Sequence, residues 1–242
     1  MAWRAERIHR NRAYRRVMLA RRPLAAAATA LTAALLALTA LSGCAAANGG
    51  AAEALGTAAA QTASAQRVAV VGDSIESGLG LQPSEAWPAL VAETRGWRLD
   101  NLSVPGAGFV AQGEDGHDFS AQVDTAIASN AQLVFIGASD NDLGEDSAAV
   151  SSAIQTAVNR LHSALPDAHI VGFNALSGSA SDDELAPVDT ALEQAVDAVG
   201  GQWLDLGQPY RGLAGLVQDD GEHPTLPGQQ AIAAVVESKL GA

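Results

Sequence analysis

Short runs of consecutive apolar residues alternate along this chain with longer stretches in which apolar residues return every three or four positions. RVAVVG (67–72), QLVFIG (132–137) and AHIVGF (168–173) are continuous apolar runs of strand length, the pattern of strands buried on both faces. WRLDNLSV (97–104) and QWLDLG (202–207) read as two more strands, one leading into Pro105-Gly106. Between them lie helical stretches. SEAWPALVAETRG (84–96) has a serine at its start, Glu85 in the first turn and Gly96 at its end. DFSAQVDTAIASN (118–130) follows, then SAAVSSAIQTAVNRLHSAL (147–165), which Pro166 stops. DDELAPVDTALEQAVDAVG (182–200) is helical, its regular part opening near Pro187, and LPGQQAIAAVVESKLGA (226–242) closes the chain. Strands that alternate with helices predict a parallel sheet covered on both faces, formed by residues 67–242 as one unit without internal repeats.

The first 66 residues have a different pattern. Arginines crowd residues 4–22, and LAAAATALTAALLALTALS (24–42) is apolar and uncharged. A basic region, an apolar region and small residues at Gly43-Cys44 read as a secretory signal over 1–43. A plain transmembrane anchor is the alternative, since the apolar stretch is near spanning length, although its alanines are weakly apolar. Arg15-Arg16 hints at twin-arginine export, with a poor match around it. Leu41-Ser42-Gly43-Cys44 resembles a bacterial lipoprotein lipobox. The resemblance implies a diacylglyceryl group on the Cys44 thiol, cleavage before it, and a domain held on the extracytoplasmic face of the cell membrane. Cys44 is the sole cysteine, so no disulfide can form within the chain. Residues 45–66 are small and polar apart from Leu55, and with Cys44 they make a 44–66 tether.

The charge balance narrows the partners. Eight of the 14 basic residues and one of the 27 acidic ones lie in residues 1–44, so 45–242 carries six basic against 26 acidic residues. Such a body repels nucleic acid, whose binding needs a basic footprint. Its plain consequence is a soluble, solvated surface, and a monomer is expected.

In a parallel sheet, ligands sit beyond the carboxyl ends of the strands. The residues there are informative. Gly72-Asp73-Ser74 follows the first strand, Pro105-Gly106-Ala107-Gly108 the second and Gly137-Ala138-Ser139-Asp140-Asn141-Asp142 the third. Asp220-Gly221-Glu222-His223-Pro224 precedes the last helix. A serine hydroxyl is a weak nucleophile that needs a base. His223 can be that base, and Asp220 can fix its tautomer and stabilise its charged form. Backbone N–H groups of Ser74 and Gly106, with an amide side chain, can bind an oxyanion. Plainer roles exist for each: Ser74 or Asp142 as a helix cap, Gly106 and Gly108 as turn residues, His223 as a surface histidine. Asp73 is expected to bond backbone groups in its turn. The G-x-G at 106–108 lacks the third glycine of a dinucleotide fingerprint. His117, His162 and His169 show no ligand-like clustering, so neither a metal nor another cofactor is expected.

These blocks together resemble the SGNH, or GDSL, esterase/lipase family. Gly72-Asp73-Ser74 is similar to its first block, Gly106 to its second, Asn141-Asp142 to its third, and Asp220-x-x-His223-Pro224 to its last. The order and spacing match over 67–242. The resemblance implies a flavodoxin-like, three-layer α/β/α sandwich with a five-stranded parallel sheet. It also implies a Ser74-His223-Asp220 triad, with the Ser74 and Gly106 N–H groups and an asparagine side chain as oxyanion donors. The third block departs from the family's Gly-x-Asn-Asp: Ser139 stands where asparagine is usual, and the Asn-Asp pair returns two residues later. Asn141 is the favoured donor and Ser139 its rival. The function expected is extracytoplasmic serine esterase. Its substrate would be a small-molecule or carbohydrate ester, with short acyl groups favoured because 107–118 and 174–186 are short, small and acidic. A thioesterase, a lysophospholipase or an acyltransferase would read alike here. A non-catalytic envelope- or glycan-binding lipoprotein on the same fold is the alternative, supported by the altered third block.

Overall fold

The computed structural model describes residues 65–241. The expected signal segment over 1–43, Cys44 and the tether up to residue 64 lie outside the described residues. Five strands form one parallel sheet: β1 (Arg67–Val71), β2 (Arg98–Asn101), β3 (Leu133–Gly137), β4 (His169–Phe173) and β5 (Gln202–Leu204), in the order β2-β1-β3-β4-β5. Six α-helices are described with them: α1 (Ser74–Ser77), α2 (Trp87–Arg95), α3 (Phe119–Ala128), α4 (Ser147–Ala164), α5 (Asp182–Ala198) and α6 (Leu226–Leu240). The expected flavodoxin-like three-layer architecture is present. No helix among the described residues is long and apolar enough to cross a membrane.

Alternate residues of each central strand serve opposite layers. Ala69, Val71, Val134 and Ile136 face a core built with Val123 of α3, Ile154 and Leu161 of α4, and Leu192 of α5. Val68, Val70, Phe135 and Phe173 face the other layer, with Trp87 and Val91 of α2 and Ile232 and Val236 of α6. This is why β1 and β3 read as unbroken apolar runs. Trp87 anchors the second layer, edge-on to Phe135 and Phe173 at centroid distances of 6.1 and 5.6 Å. Full burial of each large apolar side chain contributes about 1.5–3 kcal/mol, so these layers supply most of the stabilising free energy.

The register aligns the strand ends that matter. Val71 pairs with Ile136, and Gly137 with Phe173, so the segments after β1, β3 and β4 emerge on one edge.

Several boundaries differ from the pattern-based reading. Ser84 and Glu85 belong to a separate 3₁₀ turn at Pro83–Glu85, and α2 starts after Ala86 with Pro88 in its first turn. Proline favours the start of a helix because its missing N–H is not needed there. α5 begins at Asp182, well before Pro187, because Ser181 and Glu184 form a capping box. β2 ends at Asn101, yet Leu102 and Val104 continue donating to Val70 and Gly72.

Candidate active site

β1 runs into a turn held from all sides. Asp73 caps α1, its Oδ1 accepting the Ile75 N–H at 2.9 Å, while Glu76 Oε2 accepts the Asp73 N–H at 3.1 Å. The Gln122 amide of α3 clasps Gly72, donating to its carbonyl and accepting its N–H, both at 2.9 Å. From the opposite layer, Gln229 of α6 donates to the Ile75 carbonyl at 2.9 Å. Ser74 therefore occupies the first position of a one-turn helix on a fixed backbone. Burial, and then the proximity of Glu76, pushes the Asp73 carboxyl well above the usual carboxylate range. Burial also raises Glu76, although it accepts from the Asp73 N–H and the Trp87 indole. Asp73 bonds backbone in its turn, as the sequence suggests.

The turn before α6 reaches the same point. His223 Nε2 lies 2.9 Å from Ser74 Oγ, and His223 Nδ1 lies 2.6 Å from Asp220 Oδ2. Asp220 Oδ1 accepts the N–H groups of Glu222 and His223 at 2.9 and 3.0 Å. Burial raises the Asp220 carboxyl, but these two N–H groups and the imidazole outweigh it and hold it below its usual range. Ser74, His223 and Asp220 thus form one continuous hydrogen-bonded chain across 149 positions of sequence.

The β2 loop supplies Gly106, at φ 78°, a conformation that favours glycine. Among the described residues, neither the Ser74 nor the Gly106 N–H meets a hydrogen-bond acceptor. Asp142 shapes this loop: its carboxylate accepts the N–H groups of Phe109, Val110 and Ala111 at 2.7, 2.9 and 2.9 Å. A Cβ on Gly108 would sit 2.6 Å from Asp142 Oδ1, so glycine lets the carboxylate in. Asp142 is therefore a clamp on the second block, whereas Asp146 caps α4. Burial raises the Asp142 carboxyl, partly offset by the three N–H groups.

The two rival side chains of the third block occupy different environments. Ser139 is fully buried. Its hydroxyl lies 2.6 Å from Asp73 Oδ2 and 3.0 Å from the Ala107 carbonyl, so its single proton is spent inside the protein. It also accepts the Asn141 N–H at 3.2 Å and the Asn141 Nδ2 at 3.1 Å. Asn141 is only partly buried, and its Nδ2 also lies 3.1 Å from the Ala107 carbonyl and 3.4 Å from Asp73 Oδ2. His117, His162 and His169 are exposed, and the described residues contain no group of His, Cys, Asp and Glu arranged to hold a metal.

The sequence carries no local signal for a second set of contacts. Glu222, Ser177 and Asp140 meet although Ser177 lies 37 positions from Asp140 and 45 from Glu222. Only folding of three strand-end loops onto one edge brings them together.

The profile of the GDSL-like Lipase/Acylhydrolase family matches residues 70–231. The chain belongs to this family. The match takes in the Ser74 turn, the Gly106 loop, the third block and the His223 turn, and the family's chemistry is the hydrolysis of acyl esters. Solved structures similar to this GDSL-family chain share its fold. The psychrotrophic esterase EstA of Pseudoalteromonas sp. is 18% identical, covers 72% of this chain and 96% of its own, and has a TM-score of 0.59. TesA is 22% identical over 72% of this chain and 98% of its own, with a TM-score of 0.60. A family two carbohydrate esterase from Cellvibrio japonicus is 15% identical, matching 72% of this chain but only 60% of its own, with a TM-score of 0.59. No curated protein is a significant match to the sequence.

Proposed function

We propose that this protein is a serine esterase that hydrolyses acyl esters in two steps through an acyl-Ser74 intermediate. The observation that carries the reading is the hydrogen-bonded chain from Ser74 Oγ through His223 to Asp220. In the first step His223 Nε2 takes the Ser74 proton as the oxygen attacks the ester carbonyl. Negative charge develops on the carbonyl oxygen, where the free N–H groups of Ser74 and Gly106 are available as preorganised donors. His223 then returns the proton to the departing alcohol. Water repeats the sequence on the acyl-enzyme, releasing the acid and free Ser74. Asp220, ionised because of its donors, supports the imidazolium in both steps. Asn141 is the side-chain donor in this scheme, exchanging the Ala107 carbonyl for the substrate oxygen, while Ser139 keeps its proton on Asp73.

Short acyl esters of small molecules or carbohydrates are the favoured substrates. Residues 174–177 of the β4 loop are buried, and 107–118 carries small and acidic residues, so little bulky apolar surface is offered to a long chain. A fluorophosphonate probe tests the mechanism. It should add once, at Ser74, and Ser74→Ala should abolish both labelling and p-nitrophenyl acetate hydrolysis. Labelling elsewhere, or an unimpaired mutant, would refute it, and a folded wild type without turnover would favour a binding protein on this fold.

Anchoring through Cys44 belongs to the same proposal. Two acyl chains hold a protein firmly where one holds it marginally. A diacylglyceryl group on Cys44 therefore keeps the domain on the outer face of the cell membrane. Cys44→Ala should remove lipid labelling and release the protein from the membrane fraction. A wild-type chain that carries no lipid and starts elsewhere than at Cys44 would overturn the anchor.

A further inference from the structure

Glu222 stands between Asp220 and His223, yet its side chain turns away from Ser74 toward the loop after β4. Its Oε1 accepts the Ser177 hydroxyl and the Gly178 N–H, both at 2.9 Å, and its Oε2 accepts the Ser179 hydroxyl. Its backbone is engaged as well. The Glu222 N–H donates to Asp220 Oδ1 at 2.9 Å, and its carbonyl accepts the hydroxyl of the fully buried Tyr210 at 3.1 Å. Every hydrogen-bonding group of this residue is therefore used. Ser177 also reaches Asp140 Oδ2 at 2.9 Å, so its one proton serves the carboxylate of either the histidine turn or the β3 loop. The two loops touch through backbone. A Cβ on Gly178 would lie 2.5 Å from the Glu222 carbonyl and 2.7 Å from the Gly221 carbonyl, so glycine permits the approach that the carboxylate then locks.

Resting on the reading of Ser74, His223 and Asp220 as the reacting groups, we propose that Glu222 is a positioning residue for them: its carboxylate latches the Asp220–His223 turn to Ser177, Gly178 and Ser179 of the β4 loop. The physical need is specific. The histidine turn is exposed at Asp220 and Gly221 and carries the base of the reaction. On its own side, what orients the imidazole is the Asp220 carboxylate, which is itself 44% exposed. The latch transfers rigidity from the buried 174–177 segment of the β4 loop to the peptide between Glu222 and His223. That peptide then holds Nε2 on Ser74 Oγ in the orientation proton transfer requires. Loss of such positioning slows the chemical step more than it weakens substrate binding, because the latch acts on the base rather than on the substrate.

The test compares Glu222→Ala, Glu222→Gln, Ser177→Ala and the Ser177→Ala/Glu222→Ala pair in the full-length chain. Glu222→Ala should lower kcat and the fluorophosphonate labelling rate at Ser74 by about 10–100-fold, the scale of a sub-ångström to 1 Å misplacement, with KM moving less than about threefold. Glu222→Gln keeps an amide oxygen for Ser177 and Gly178 and should return kcat to within about threefold of wild type. The double variant should be no slower than Glu222→Ala alone, because both substitutions break one latch. An unchanged kcat in Glu222→Ala, a Gln variant as slow as Ala, a loss confined to KM, or additive rate losses in the pair would each overturn the proposal. Amide hydrogen exchange reads the latch without turnover. Glu222→Ala should deprotect the Gly178 and His223 amides together, and deprotection of Gly178 alone would overturn the latch. A wild type without esterase activity would instead refute the reading of Ser74, and the exchange result would still decide the latch.

Discussion

Removing Ser139 and Asn141 separately should divide stability from catalysis. Ser139→Ala deletes a fully buried hydroxyl that donates to Asp73 at 2.6 Å and accepts the Asn141 N–H. Asp73 Oδ2 would keep only the long 3.4 Å bond from Asn141 Nδ2; a buried acceptor so weakly paired costs about 1–3 kcal/mol, and the orphaned Asn141 N–H adds to this. A loss of about 2–3 kcal/mol lowers Tm by roughly 4–12 °C, at about 2–4 °C per kcal/mol for a domain of this size. On the proposed assignment, Asn141→Ala should act on the reaction instead. A preorganised oxyanion donor is worth about 2.7–4 kcal/mol. Here the Asn141 Nδ2 already lies 3.1 Å from the Ala107 carbonyl, so the transition state gains only the difference over that bond. Subtracting about 1 kcal/mol for a neutral hydrogen bond leaves about 2–3 kcal/mol. At 1.36 kcal/mol per tenfold, that is a loss of roughly 10²-fold in the acylation rate. Affinity should change little, because the donor acts on the transition state. Stopped-flow single-turnover acylation with p-nitrophenyl acetate, beside thermal unfolding, measures both quantities. Slow acylation in Ser139→Ala with nearly normal Asn141→Ala would refute the assignment and make Ser139 the donor. Two variants with unimpaired acylation would leave backbone N–H groups as the whole oxyanion hole.

Two further outcomes follow from carboxylates that are buried, Asp142, or half-buried, Asp189. Asp142→Ala removes the acceptor of the Phe109, Val110 and Ala111 N–H groups. Urea unfolding should show a loss of about 3 kcal/mol, at about 1–3 kcal/mol for each group that water does not satisfy, and kcat should fall because Gly106 sits in the same loop. Asp189 concerns pH: burial, and then its acidic neighbours, push its carboxyl up to about 6 although it accepts the Ala175 N–H. An acid with a raised folded pKa binds more protons folded than unfolded, so its contribution is favourable below the unfolded value and is lost as pH rises through 6. Between about pH 4 and pH 6, wild-type stability should therefore fall relative to Asp189→Asn, which cannot ionise, and equal slopes for the two proteins would contradict the burial argument.

Much of this protein is legible in its sequence because the signals are local. β1, β3 and β4 are apolar without interruption because both faces of each strand are covered, and that alternation with helical stretches dictates a parallel sheet. Gly72-Asp73-Ser74 and Asp220-x-x-His223 are recognisable because turn geometry and tautomer control each need particular residues at fixed short spacing. Helix starts were less legible. Ser84 has the composition of a cap and is not one, while Ser181 starts α5 ahead of Pro187 through a reciprocal bond with Glu184 that the proline obscures. What composition and spacing leave open is decided by contacts between distant segments. Ser139 sits where the resemblance places an amide donor, and only the folded chain puts its hydroxyl against the buried Asp73 carboxyl and the Ala107 carbonyl. Asp142 becomes a clamp because the β2 loop, 31 to 33 positions upstream, folds three N–H groups onto it. Glu222 acquires its partners only when the β4 loop reaches the histidine turn. A residue's chemistry is written in the chain, but which donor meets which acceptor depends on backbone brought together across the sheet edge, and that is a property of the tertiary structure.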